Sequence, residues 1–180
     1  PRILRPVNYL KSQPGHGSCL VELGATGLKL GVVNTSGNLF LQAGRPMFAE
    51  TDAAVGDLIR RGADHVLVDV HAEATSEKVG LGWHLDGRVT AVVGTHTHVP
   101  TNDFRVLPGG TAYITDVGMT GPRGGVIGVK KEQAIQSMST HMPVRFETSE
   151  DDPWLMGVVI RSQRALSATG IEPVLRPWRG

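Results

Sequence analysis

Apolar residues in this chain fall in short runs with a strand-like or helix-like period, and most runs stop at glycine, proline or a polar cluster. Cys19 to Leu23 and Leu28 to Val33, parted by Gly24, Ala25, Thr26 and Gly27, predict a two-stranded hairpin. Ala49 to Arg61 sets Ala49, Ala53, Leu58 and Ile59 among charged positions. Thr51 and Asp52 lie near its start and Gly62 after its end, the layout of a helix with a glycine stop. Val66 to Val70 is a nearly unbroken β-branched run and predicts a buried strand, Thr75 to Leu85 a helix, and Val89 to Val93 a second buried strand. Strand, helix and strand within about thirty residues predict a parallel βαβ unit.

Phe104 to Leu107 and Thr111 to Ile114 flank Pro108, Gly109 and Gly110, a second hairpin pattern. Thr115 to Gly128 is glycine-rich without a period and predicts an ordered loop, followed by a short helix over Lys130 to Met138. Val144 to Thr148, Leu155 to Ile160 and Ile171 to Leu175 predict three closing strands, with Glu150, Asp151, Asp152 and Pro153 as a polar turn. No linker, repeat or charge run divides the chain, so the expectation is an α/β fold with residues 1–180 in one domain.

Composition narrows the function classes. With 18 basic and 17 acidic side chains the net charge is +1, which argues against a stable nucleic-acid complex, since that needs a basic stripe neutralising several phosphates. No apolar run approaches the roughly 18 to 20 residues of a membrane helix. The one cysteine, Cys19, excludes an internal disulfide and a cysteine-rich zinc module, fits a cytoplasmic setting, and reads as a small buried side chain. The chain opens on Pro1 rather than Met, without a signal-peptide pattern, and Pro1 to Tyr9 reads like internal sequence, so a fragment of a longer protein is expected. Trp83, Trp154 and Trp178 are scattered and build no stacking platform for bases.

Three of the seven histidines stand just beyond the two strongest strands: His71 after Val66 to Val70, and His96 and His98 after Val89 to Val93. In an open α/β sheet the crevice past the carboxyl ends of the strands is the usual ligand site. Alternate side chains on an extended loop share a face, so a His-x-His pair can serve one site, and neutral imidazole suits zinc, manganese, iron or nickel. His16, His65, His84 and His141 read as surface or hydrogen-bonded residues. Of the nearby carboxylates none is assigned as a ligand. Asp69 alternates with His71 and is expected to orient an imidazole, Glu73 and Glu77 to cap the helix or face solvent, and Asp116 to make structural hydrogen bonds. Gly121, Gly124, Gly125 and Gly128 form no phosphate-binding fingerprint and read as loop-shaping. Arg123 reads as solvated unless its loop borders the site, where it would attract phosphate.

The strings DVHAEATSEK at residues 69–78, VGTHTHV at 93–99 and GTAYITDVGMTGP at 110–122 resemble the calcineurin-like metallophosphoesterases of the bacterial YmdB type. The likeness runs from about Leu4 to about Gly157. It implies a sandwich of two mixed β-sheets with flanking helices and two divalent transition-metal ions at the strand ends, iron or manganese, with zinc as the alternative. It also implies hydrolysis of phosphodiesters, including 2',3'-cyclic nucleotides, by a metal-activated water. His71 and His96 would hold one ion and His98 the other. The family opens with an Asp-containing strand motif, a Glu-Asn pair and a Gly-Asn-His motif, none of which precedes Pro1. The chain therefore reads as the C-terminal part of the domain, carrying half the site, with no general acid assigned. A small phosphodiester or nucleotide is the expected partner, with a homo-oligomer left open. Two rivals remain at this stage. One is a non-catalytic partner- or nucleotide-binding module on an incomplete scaffold. The other is an amidohydrolase, for which the chain is short of a barrel of about 250 residues.

Overall fold

The computed structural model describes residues 3–163 and 165–178; Pro1, where the sequence suggests an internal start, lies outside them. Two sheets form. The larger runs in the order β1 (Ser18–Glu22), β2 (Lys29–Ser36), β3 (His65–His71), β4 (Ala91–Thr95), β6 (Ala112–Ile114), β5 (Arg105–Val106), and the smaller holds β7 (Gly121–Pro122), β8 (Pro153–Arg161) and β9 (Gly170–Pro177). β2, β3, β4 and β6 are parallel, while β1 and β5 close the two edges antiparallel. Helix α1 (Met47–Arg60) crosses from β2 to β3 and α2 (Thr75–His84) from β3 to β4, so the predicted βαβ unit is present and a second one precedes it.

Alternation along β3 decides which way the site faces. Val66, Val68 and Val70 are fully buried in a core that also holds Val55 and Leu58 of α1 and Leu81 of α2. At roughly 1.5–3 kcal/mol for each buried valine, a one-residue slip that placed Asp69 and His71 inside instead is strongly disfavoured. The opposite face of β4 and β6 packs through Ala91, Val93, Ala112 and Ile114 against Val158, Ile160 and Ile171 of the smaller sheet. The result is a mixed α/β fold with two sheets and flanking helices. The larger sheet is drawn tight at its C-terminal edge: a Cβ on Gly94 would lie 1.6 Å from the carbonyl oxygen of Thr115, so only glycine lets β4 and the segment after β6 approach this closely.

Three expectations change. Val144 to Thr148 is not a strand; of these residues only Thr148 makes a β-bridge, to Val129, and Phe146 is left 54% exposed because no sheet edge adjoins it. The loop after β6 contains a two-residue strand, β7, recruited by pairing with Trp154 and Pro153. Cys19 is half-buried, since β1 is an edge strand. Helix α3 (Lys131–Thr140) buries only Ala134.

Asp103 pins the loop before β5 to the end of β6, accepting hydrogen bonds from Thr101 Oγ1 (2.7 Å), Thr115 N (3.1 Å) and Thr115 Oγ1 (2.5 Å). Partial burial raises its pKa, but the bonds from Thr115 and Thr101 outweigh that and hold it below the usual carboxylate value. A depressed carboxylate stabilises the fold above its unfolded pKa, and that contribution is lost as pH falls through the folded value. Asp103→Asn is therefore expected to cost roughly 1–2 kcal/mol at pH 7. The gap from the parent should narrow as pH falls below about 4. Urea titrations of both proteins at pH 7 and pH 3.5 measure it, and an unchanged gap removes the charge from this account.

Candidate metal centre

His71 ends β3 and Thr95 ends β4, and the two are register partners across the parallel pair. His71 Nδ1 lies 3.0 Å from Thr95 Oγ1, which itself donates to Asp69 Oδ1 at 2.8 Å; the other Asp69 oxygen accepts from Asn34 Nδ2 at 2.8 Å. A carboxylate only accepts, so the threonine hydroxyl is spent as a donor and must accept from the imidazole. The proton of His71 is thereby fixed on Nδ1 and its lone pair on Nε2. Asp69 orients the imidazole as its strand position suggests, but through Thr95.

His96 meets His71 edge to face, with ring centroids 4.8 Å apart at 80°, and its Nδ1 lies 3.1 Å from His71 Nε2. Its other nitrogen, Nε2, is 3.1 Å from Glu73 Oε2. That carboxylate is near His96 without hydrogen-bond geometry, so the His96 proton is free to sit on Nδ1 and donate to the lone pair on His71 Nε2. Glu73 precedes α2 and faces solvent, as expected, with one carboxylate oxygen near the imidazole. Glu77, inside α2, binds the backbone N–H groups of Asn38 (2.7 Å) and Leu39 (3.1 Å) and plays no part here.

Deprotonated at Nδ1, His96 would present a second lone pair beside that of His71, and a cation can take the place of the shared proton. A charged imidazolium at His71 is disfavoured: burial first, then the neighbouring His96 and Lys78, hold His71 below the ordinary imidazole value, against the upward pull of Asp69 and Asp116. A cation suits the spacing, since two nitrogens bound to one ion at roughly 2.1 Å lie about 3.0 to 3.4 Å apart at octahedral to tetrahedral angles. These two histidines thus fit one divalent ion as a partial donor set. His98 stands apart, exposed, with Nδ1 3.3 Å from the Ile127 carbonyl. Among the described residues no group of three or more His, Cys, Asp or Glu side chains closes around a common point.

The loop carrying these histidines is strained. His96 has φ 99° and His98 φ 65°, left-handed values that cost of order 1–3 kcal/mol each in non-glycine residues and recur at functional sites. Asp116 holds them there. Its Oδ2 accepts from Thr97 N (3.0 Å), Thr97 Oγ1 (2.7 Å) and Lys78 Nζ (3.1 Å), and its Oδ1 from Gly118 N (2.8 Å). Lys78 and Asp116 are both 1% exposed. Asp116 is thus the structural anchor its loop position suggests. Sequence reasoning missed Lys78, Thr95, Thr97 and Asn34. Lys78 had a signal, since it shares the buried face of α2 with Leu81 and Gly82 at helical spacing.

The chain matches the family model described as YmdB-like protein over residues 1–174. It is 46% identical over 176 residues to a 2',3'-cyclic-nucleotide 2'-phosphodiesterase of Bacillus subtilis (strain 168), covering 97% of this chain and 66% of that protein. Among solved structures it resembles a hypothetical protein from Thermus thermophilus, with a TM-score of 0.89, 38% identity, and coverage of 97% of this chain and 67% of that one. A novel phosphatase from Mycoplasma pneumoniae gives a TM-score of 0.82 at 34% identity, with 97% and 63% covered. The chain spans about two thirds of the length of the Bacillus subtilis relative. With a family match along nearly its whole length, and with relatives that share its fold, the chain belongs to the YmdB-like protein family.

Proposed function

We propose that this chain is the C-terminal part of a metal-dependent phosphodiesterase, on a calcineurin-like sandwich of mixed sheets, acting on small phosphodiesters such as 2',3'-cyclic nucleotides. The observation that carries the reading is the approach of two imidazole nitrogens to 3.1 Å at the carboxyl ends of β3 and β4, with the far nitrogen of His71 held by Thr95 and Asp69. Two divalent ions, iron or manganese with zinc as the alternative, would supply a water of lowered pKa and offset the charge on phosphorus. His71 and His96 would hold one of them as neutral donors, leaving net positive charge for an anionic substrate. His98 would serve the second ion only after its ring leaves the Ile127 carbonyl. The Bacillus subtilis relative, named for 2',3'-cyclic-nucleotide 2'-phosphodiesterase activity, supports the substrate class.

The amidohydrolase reading loses its basis, because the larger sheet is open, with antiparallel strands at both edges, instead of a closed parallel barrel. No described helix is long and apolar enough to cross a membrane. The full-length protein, loaded in turn with Mn(II), Fe(II) and Zn(II), is expected to convert 2',3'-cyclic AMP to 3'-AMP: water adds at phosphorus and the bond to O2' breaks, leaving a 2'-hydroxyl. Chromatography of the products reads this. Absence of hydrolysis of both 2',3'-cyclic AMP and bis-p-nitrophenyl phosphate with all three metals overturns the proposal in favour of a non-catalytic binding module.

A further inference from the structure

Beyond the histidines, the loops after β4 and β6 and strands β8 and β9 line an open cavity of about 350 Å³. Its walls include Val99, Met119, Ile127 and Met156, while His98 and Arg123 bring polar groups to it. That volume lies at the lower end of the roughly 300–1,000 Å³ of small-molecule sites, room for one nucleoside-sized group. Thioether and aliphatic walls suit the flat face of a base.

The Arg123 guanidinium lies 4.5 Å from the ring centroid of Trp154, whose own Nε1 donates to Asp152 Oδ1 at 2.8 Å. Among the described residues Arg123 has no carboxylate in ion-pair reach, so its donors are aimed by the indole yet unspent on an anion. An apolar cavity with a held, unpaired cation matches a molecule with a flat apolar end and an anionic end. Its continuity with the metal site is covalent: His98 and Val99 lie two and three residues after His96.

We infer that this cavity is the subsite for the base of a nucleotide substrate, with Arg123 contacting its phosphate; the inference rests on the phosphodiesterase reading above. Few polar side chains line it, so no hydrogen-bond code for one base is built in. Purines should outrank pyrimidines only through contact area.

The test uses the full-length protein, metal-loaded, with two substrates that share the five-membered cyclic phosphodiester: 2',3'-cyclic AMP, which carries a base, and glycerol 1,2-cyclic phosphate, which does not. Val99 is 59% exposed, so Val99→Trp fills the cavity without disturbing the core. The ratio of kcat/KM for the nucleotide to that for the glycerol ester is expected to fall at least tenfold in Val99→Trp, through KM. Met119→Ala should lower the same ratio by removing a wall. Arg123→Gln should raise KM for both substrates. If the parent hydrolyses both esters and neither Val99→Trp nor Met119→Ala moves the ratio, the base subsite is wrong while the phosphodiesterase reading stands. If the parent hydrolyses neither, the phosphodiesterase reading itself fails. Calorimetric binding of 3'-AMP gives a readout independent of turnover: affinity weakened tenfold or more by Val99→Trp supports the subsite, and unchanged affinity overturns it.

Discussion

His71→Ala and His96→Ala in the full-length protein should each lower phosphodiester turnover by roughly two to four orders of magnitude, the effect of losing about 3–5 kcal/mol of transition-state stabilisation. Each variant removes one of the two imidazole nitrogens that approach to 3.1 Å, and with it one of the two donors this chain would offer a shared ion. The side chains beside the imidazoles grade the effect. Glu73→Gln leaves His96 in place but removes the exposed carboxylate charge 3.1 Å from its Nε2, so a loss of about 10-fold in metal affinity, the low end for such partners, is expected. Thr95→Val should act similarly on His71 by removing the acceptor for its Nδ1 proton. Both histidines are only partly buried at the rim of the sheet, so thermal midpoints should stay within a few degrees of the parent. Metal content by elemental analysis and turnover of bis-p-nitrophenyl phosphate check the series. Full metal occupancy with parental turnover in both alanine variants would remove these residues from the site.

Breaking the Lys78–Asp116 pair should have the largest effect on stability. Both side chains are 1% exposed, and Lys78→Met strands a carboxylate that keeps its hydrogen bonds from Thr97 and Gly118 but loses its cation. Removing one partner of a buried ion pair typically costs about 3–5 kcal/mol. For a chain of this size each kcal/mol moves the melting midpoint by roughly 2–4 °C, so a drop on the order of 10 °C is expected. Asp116→Asn should cost a similar amount by leaving the ammonium uncompensated. It should also depress turnover below the melting transition, because it loosens Thr97, the residue between two histidines held at positive φ. Denaturant titration and assays at low temperature separate the two consequences. A stability loss under about 1 kcal/mol in Lys78→Met would show that water or a rotamer change rescues the buried charge.

Local pattern settled a good deal about this protein. The β-branched run Val66 to Val70 made β3 recognisable, Gly62 after Arg61 marked the end of α1, and the strand–helix–strand spacing was enough for a parallel unit. Because ligands in open α/β sheets gather past the carboxyl ends of strands, the same reading carried His71 and His96 to one place. It failed for Val144 to Thr148, where a β-prone run found no sheet edge to join, and in the loop after β6, where β7 exists only because β8 pairs with it. Tertiary structure alone decided the chemistry of the centre. That Thr95 stands between His71 and Asp69, that Glu73 lies near His96, and that His98 faces Ile127 all depend on register between strands and on loop paths. Lys78 makes the same point. Its place on the buried face of α2 follows from helical period, but a buried ammonium is tolerable only opposite a carboxylate, and Asp116 is brought there by the order of strands across the sheet.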